Sequence, residues 1–317
     1  MDKKIVFFGT PEFAVSILEG LINEGFNVTA AFTQTDKPKG RGNRVQMSPV
    51  KEYALVHGIP VYQPRTLRDA EVLDGIEAMS PDMIVVAAYG KIFPQRLLDI
   101  PEYGCINVHG SLLPSYRGAA PVQRSIINGE TRTGVTIMRM DAGCDTGDMI
   151  AKAVIPIPDD MNCGELFFEM GRVGSALLNE TVPRIFDGTA EYEPQDGEAA
   201  TYSPKIEKSE LSLDFQKPAK KLHDLIRGVY PLLVCGCVQH GAKGARGLRI
   251  AKTVVCEGEG EPGTVIKADP KSGDLIVACG EGALNIRELI PEGKQKMSSA
   301  DYIRGRQISE TDTLWII

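Results

Sequence analysis

The chain has 317 residues, of which 43% are hydrophobic and 24% charged, and a formal charge of −7. That balance belongs to a soluble globular protein of one or two domains with a core large enough to need no staples. No apolar run approaches the ~20 residues needed to cross a bilayer, and the acidic total taken alone argues against a nucleic-acid partner.

Lys3–Phe8 is a compact β run, entered too early for a signal peptide, and Gly9-Thr-Pro-Glu closes it. Phe13, Ile17, Leu18, Leu21 and Ile22 then recur at helical spacing. Asn27–Thr33 is a second strand, and the polar stretch to Gln46, with Pro38, Gly40 and Gly42, is a long loop. Ser48-Pro-Val opens a helix, Ser48 as N-cap and Pro49 as first residue. Met83–Ala88 is apolar enough for a strand buried on both faces. Cys105–Val108 is another strand, and Ala119–Ile127 returns as a helix. Val135–Met140 and Met149–Ile157 form a further strand pair, and Cys163–Phe186 is a long amphipathic helix. This alternation predicts an α/β fold: a Rossmann-like, mostly parallel sheet with helices on both faces. Residues 1–187 would be its catalytic domain and the Gly-, Pro- and Glu-rich residues 188–208 a linker. In residues 209–317, a short helix (Leu222–Val229) precedes β runs at Arg249–Val255, Gly263–Ala268, Asp274–Cys279 and Leu284–Ile290, the pattern of a small β-barrel.

The run Cys105-Ile-Asn-Val-His-Gly-Ser-Leu-Leu-Pro114 carries the chemistry. Side chains two apart on a strand share a face at ~7 Å spacing. Asn107, His109 and Ser111 would thus line one edge at a strand's carboxyl end, where open α/β sheets bind ligands. His57, His223 and His240 have ordinary surface readings. Gly9-Thr-Pro-Glu lacks the G-x-G-x-x-G of a dinucleotide site, and no G-x-S-x-G elbow marks a hydrolase. Asp141-Ala-Gly-Cys-Asp-Thr-Gly-Asp148 fails as a calcium loop because Lys152 occupies the twelfth position. It is either a plain acidic turn or a means of bringing a carboxylate, Asp145 first, to a nearby base.

The seven cysteines are scattered, and their one close pair, Cys235 and Cys237, lacks zinc-site spacing. Reduced, buried thiols of a cytoplasmic protein are expected. Charge is unevenly spread. From Lys208 onward there are 16 Lys+Arg against 14 Asp+Glu, and before it 19 against 28. Lys37, Lys39, Arg41, Arg44 and Lys51 crowd a stretch whose one acid is Asp36. They make either a solvated loop or a phosphate-contacting arm.

The segments Ile106-Asn-Val-His-Gly-Ser-Leu-Leu-Pro114 and Arg117-Gly-Ala-Ala-Pro121 resemble the folate-dependent formyltransferases. Thr33–Gly42, Ser48–Lys51, Ala88-Tyr-Gly-Lys91, Asp141–Asp148, Ala200-Thr-Tyr and Lys294-Gln-Lys-Met-Ser are similar to the branch acting on methionyl-tRNA. The resemblance covers nearly the whole chain. It implies 10-formyltetrahydrofolate as co-substrate with no metal, the α-amine of methionyl initiator tRNA as acceptor, and a monomer working in the cytoplasm. It implies Asn107, His109 and Asp145 as the catalytic trio. Ser111, Leu112, Leu113 and Pro114 would bind tetrahydrofolate, with Tyr89 and Gly90 near the pterin. Lys37, Lys39, Arg41 and Arg44 would form an arm entering the tRNA acceptor end, and the barrel would be OB-like and hold tRNA. Thr35 stands where that branch usually has Pro, and the Tyr230-Pro-Leu-Leu segment lacks its usual tryptophan. The rival readings are a nucleotide-sugar or small-amine formyltransferase, or a non-catalytic ligand-binding module joined to an RNA-binding barrel.

Overall fold

The computed structural model describes residues 2–39 and 44–316. They divide into two compact units: Met1–Pro121 with Thr133–Pro156 and Phe167–Pro204, and Val122–Arg132 with Ile157–Leu166 and Lys205–Ile317.

In chain order from residue 4 to residue 203 the elements are β1 (Lys4–Gly9), α1 (Glu12–Asn23), β2 (Asn27–Phe32), β3 (Lys37–Lys39), β4 (Arg44–Gln46), α2 (Pro49–Val56), β5 (Val61–Tyr62), α3 (Ala70–Met79) and β6 (Met83–Ala87). There follow α4 (Gln95–Leu98), β7 (Cys105–His109), β8 (Arg117–Gly118), α5 (Pro121–Ile127), β9 (Arg132–Arg139), β10 (Met149–Pro156), α6 (Cys163–Phe186) and β11 (Tyr202–Ser203). The main sheet runs β10-β9-β7-β6-β1-β2-β5. From β5 through β7 its strands are parallel; β9 joins β7 antiparallel. The strand order reverses between β1 and β6, so a crevice opens beyond their carboxyl ends.

Both faces of the sheet are covered. Val6, Phe8, Ile84 and Val86 pack with Leu73 and Ile76 of α3 and Leu97 and Leu98 of α4. On the opposite face α6 comes so close that a Cβ on Gly174 would lie 3.0 Å from Val108 Cγ1 and 3.3 Å from Val135 Cγ1. Ser48 caps α2 as its sequence predicts, accepting from Lys51 N at 3.2 Å, with Pro49 next.

Two segments differ from the sequence-based expectation. The polar stretch after β2 holds a two-stranded ribbon, Lys37 pairing with Gln46 and Lys39 with Arg44. Its foot is tied down: Lys51 Nζ meets Asp36 Oδ2 at 2.6 Å, and Gln63 Nε2 donates to Asp36 Oδ1 and to Gln34 O, each at 2.7 Å. The Lys51 ammonium holds the Asp36 carboxyl below the usual carboxylate range. Residues 188–204, expected as linker, are laid against the first unit. There β11 pairs in parallel with β8, and Glu193 bridges Met149.

In the second unit, α7 (Ala219–Val229) buries Leu222, Ile226 and Val229. The strands are β12 (Cys235–Gly241), β13 (Gly244–Cys256), β14 (Val265–Asp269), β15 (Asp274–Ala278), β16 (Ala283–Pro291), β17 (Met297–Ser298) and, after α8 (Ser299–Arg304), β18 (Thr313–Trp315). The sheet order is β14-β15-β16-β13-β12-β18, with β17 beside β16. A bridge between Thr264 and Thr313 brings its two edges together, as a curled, barrel-like sheet requires. Periodicity missed three strands here, the short β17 and β18 and the longer β12. Its Cys235 and Cys237, both fully buried, fill the interior in place of β-branched residues. Five thiols, Cys105, Cys163, Cys235, Cys237 and Cys279, are buried, and burial pushes each up to about 12. Cys256 is half-buried, and Cys144 is exposed.

Candidate active site

Asn107 and His109 are the last outward pair on β7, opposite Met138 and Thr136 of β9. His109 is 6% exposed. Its Nε2 lies 3.1 Å from Tyr116 O, and its Nδ1 lies 3.8 Å from Asp145 Oδ2. A carbonyl oxygen only accepts, so Nε2 carries a proton, and Nδ1 is the ring nitrogen that faces the carboxylate. Asn107 is partly exposed, and its amide has no hydrogen-bond partner among the described residues.

Asp145 reaches His109 from the loop between β9 and β10. The hydrogen bond from Gly118 N to its Oδ2, at 2.8 Å, fixes the carboxylate. Asp145 sits at φ 55°, a left-handed conformation that costs a non-glycine residue about 1 kcal/mol. The acidic turn therefore does more than turn: it holds strain that aims a carboxylate at an imidazole.

Tyr116–Gly118 supports both groups at once. Tyr116 O holds the imidazole and Gly118 N holds the carboxylate. The segment is pinned by Thr201 and Ser203. Thr201 Oγ1 accepts from Tyr116 N at 2.8 Å, and Ser203 Oγ donates to Tyr116 O and Arg117 O at 3.1 and 3.0 Å. A Cβ at Gly118 would stand 3.0 Å from Ser203 O, at a φ of 116° that side chains rarely adopt. Gln195 adds a second tie. Its Nε2 donates to Asp145 O and Gly147 O at 2.9 and 2.7 Å, and its Oε1 accepts from Arg117 Nε and Nη2 at 3.0 and 2.8 Å. Ala200-Thr-Tyr is a visible motif in the sequence, but nothing in the pattern marks Gln195.

The remaining expected residues are placed as follows. Ser111 does not continue the Asn107–His109 row, because β7 ends at His109. Ser111 is fully buried, its Oγ donating to Ser115 O at 2.6 Å and its carbonyl accepting from Thr136 Oγ1 at 2.7 Å. Leu113 is buried with Met138 and Met149, while Leu112 and Pro114 are half-exposed. The Tyr89 ring is a core group, edge-on to Phe8 at 5.1 Å, and burial pushes its phenol up to about 12. The Tyr89 and Gly90 main chain lies just beyond β6, the strand beside β7. Lys37 Nζ donates to Gln34 Oε1 at 2.9 Å, and Gln34 Nε2 to Tyr89 O at 2.7 Å, so the ribbon's first strand is linked to that loop. Lys39 and Arg44 lie on the ribbon, and Arg41 lies outside the described residues. Among the described residues no cluster of three or more His, Cys, Asp or Glu is placed to hold a metal ion.

The family model described as "Formyl transferase" matches residues 3–182, and "Formyl transferase, C-terminal domain" matches residues 205–307. The chain belongs to the formyl transferase family. The methionyl-tRNA formyltransferase of Acetivibrio thermocellus is 46% identical over 314 residues, covering 98% of this chain and 99% of the relative. That of Bacillus subtilis is 42% identical over 315 residues, covering 99% and 98%. Among solved structures, the sugar 3N-formyl transferase WlaRD, crystallised with dTDP and 5-N-formyl-THF, superposes with a TM-score of 0.65 at 18% identity, covering 93% of this chain and all of that one. HypX from Aquifex aeolicus, in complex with tetrahydrofolic acid, superposes at 0.67 and 15% identity, over 96% of this chain and 47% of its own. At such identities these two structures establish the formyl transferase fold alone. No helix among the described residues is long and apolar enough to cross a membrane.

Proposed function

We propose that this formyl transferase carries the formyl group of 10-formyltetrahydrofolate to the α-amine of methionyl initiator tRNA. The single observation that carries the chemistry is an imidazole paired with a carboxylate, 3.8 Å apart, beside an amide with no partner of its own among the described residues. The tRNA acceptor is supported by relatives of 42–46% identity that match along nearly their full length.

Such a transfer builds negative charge on the formyl oxygen while the attacking amine must lose a proton. Bound 10-formyltetrahydrofolate supplies the activated formyl group. Asn107, with a free amide N–H, donates to the oxygen, an interaction worth roughly 3–4 kcal/mol in comparable sites. His109 takes the amine proton at Nδ1, since Nε2 is held by Tyr116 O. Asp145 stabilises the imidazolium through the same nitrogen, and the imidazolium gives that proton to N10 of the departing tetrahydrofolate as the bond between N10 and the formyl carbon breaks. The half-exposed Leu112 and Pro114 and the Tyr89–Gly90 main chain would line the crevice that takes the folate. Lys37, Lys39, Arg41 and Arg44 would meet acceptor-end phosphates, and the second unit would hold the rest of the tRNA. One copy supplies all three side chains, which supports a monomeric unit of function, and the tRNA acceptor supports work in the cytoplasm.

A second reading, transfer to an amino sugar, is favoured by the fold shared with WlaRD. Offering methionyl initiator tRNA and a dTDP-amino sugar to the purified protein with 10-formyltetrahydrofolate decides between them. Formylation of the tRNA alone is expected; formylation of the sugar alone would reject the proposal.

A further inference from the structure

We propose that Gln195 is a positioning residue for the transfer: it locks the main chain of the Asp145 loop so that the carboxylate stays against His109. The inference rests on the role given above to Asp145 and extends it to a side chain outside every motif that carries the family resemblance.

Three features of the contact set carry it. The first is completeness. A primary amide has two N–H donors and an acceptor oxygen with two lone pairs. Gln195 uses all of them here, on Asp145 O, Gly147 O and twice on Arg117. Such a saturated side chain has one orientation, unlike a surface glutamine exchanging partners with water. The second is what anchors it. Arg117 is 5% exposed and opens β8, between Tyr116, whose carbonyl holds the imidazole, and Gly118, whose N–H holds the carboxylate. Gln195 therefore ties the Asp145 loop to the same short segment that holds the imidazole and the carboxylate. The third is need. Asp145 lies in a left-handed conformation, and the loop around it carries exposed Asp141, Ala142, Gly143 and Cys144. Within the loop, Asp141 Oδ1 accepts from Gly143 N and Thr146 Oγ1 at 3.0 and 2.7 Å, but neither bond holds Asp145 itself, and a strained residue persists only where its surroundings over-determine it. Gly118 N restrains the carboxylate; Gln195 restrains the peptide on both sides of Thr146.

A glutamine that merely stabilised the fold would lower stability without touching the balance between kcat and KM. One that positions Asp145 lowers kcat through Asp145 alone. The test uses Gln195→Met, which keeps shape and loses every hydrogen bond, and Gln195→Glu, which keeps an acceptor for Arg117 but offers no N–H to the two carbonyls. Each is compared with Asp145→Asn and with the double variants. Both single variants should lower kcat by ~10- to 100-fold, the scale of an ångström-level misplacement, with KM for 10-formyltetrahydrofolate and methionyl-tRNA within about twofold. Each double variant should be no slower than Asp145→Asn by more than about twofold, because two residues acting as one unit are not additive. A slow Asp145→Asn beside a normal Gln195→Met and Gln195→Glu would overturn the proposal alone, as would doubles slowed by the product of the singles. A fully active Asp145→Asn would overturn the role of Asp145 and this inference with it. Should Gln195→Met not fold, Gln195→Glu, which keeps the Arg117 contact, supplies the same comparison.

Discussion

Replacing Asp145 by Asn removes one negative charge and almost nothing else. The Asn side-chain oxygen can still accept from Gly118 N, the 2.8 Å bond that sets the side chain, so the loop keeps its anchor. What is lost is the attraction between the carboxylate and the imidazolium formed when His109 takes the amine proton. At the observed 3.8 Å, Coulomb's law gives about 1 kcal/mol at the dielectric of water and about 4 kcal/mol at the effective value of ~20 that suits partly buried pairs. The Asp145 and His109 side chains are 20% and 7% exposed, so the loss falls between these bounds. It corresponds to a kcat lowered by roughly 5- to 900-fold. Because neither bound substrate gains charge before the proton moves, KM for both should stay within about twofold. Rapid-quench measurement of formyl-methionyl-tRNA under saturating conditions reads kcat directly. A variant with wild-type kcat would refute the electrostatic role of the carboxylate. Equal damage to KM and kcat would show that the loop had moved instead.

Other consequences follow from the same geometry. Asn107→Ala should lower kcat by roughly 100- to 1000-fold through the lost donor, while equilibrium dialysis shows tetrahydrofolate still bound; unchanged turnover would remove the amide from the site. Gly118→Ala forces a side chain into φ 116° against Ser203 O and should lower both the melting temperature and kcat; a variant that melts and turns over normally would show that the segment tolerates the shift. At high pH, stability should decline. Buried Cys105, Cys163, Cys235, Cys237 and Cys279 stay protonated to about 12, against an ordinary value of 9.0, and Tyr89 to about 12 against 10.0. The unfolded chain thus loses protons first, so stability complete below pH 9 is lost progressively from 9 to 12. The urea midpoint should fall between pH 8 and about pH 10.5; an unchanged midpoint would contradict the burial of these groups.

The parallel half of the sheet was legible because its strands are continuous apolar runs and its helices are periodic. Met83–Ala87 is buried at every position, and α6 covers the residues expected, Cys163–Phe186. The capped start of α2 was equally plain. The Asn107–His109 pair could be read because a two-residue period needs only one strand. Ser111 could not, since the strand ends and Ser111 turns inward to Ser115. Nothing local showed that the Asp145 loop meets His109: that depends on β9 entering antiparallel beside β7, a long-range pairing without a periodic signature. The strap around Thr201–Ser203 has the same character. Its pairing with β8 is two residues long, so composition read it as linker. The ribbon β3–β4 escaped because its strands are three residues each and mostly polar.

The central claim is that the imidazole of His109 moves the proton that lets an α-amine take the formyl group. Single-turnover transfer from 10-formyltetrahydrofolate to methionyl initiator tRNA, with enzyme in excess and both substrates saturating, measures that step without product release. The wild-type protein should transfer the label completely, and His109→Ala should do so at least ~100-fold more slowly. Matching rates for the two proteins would contradict the account.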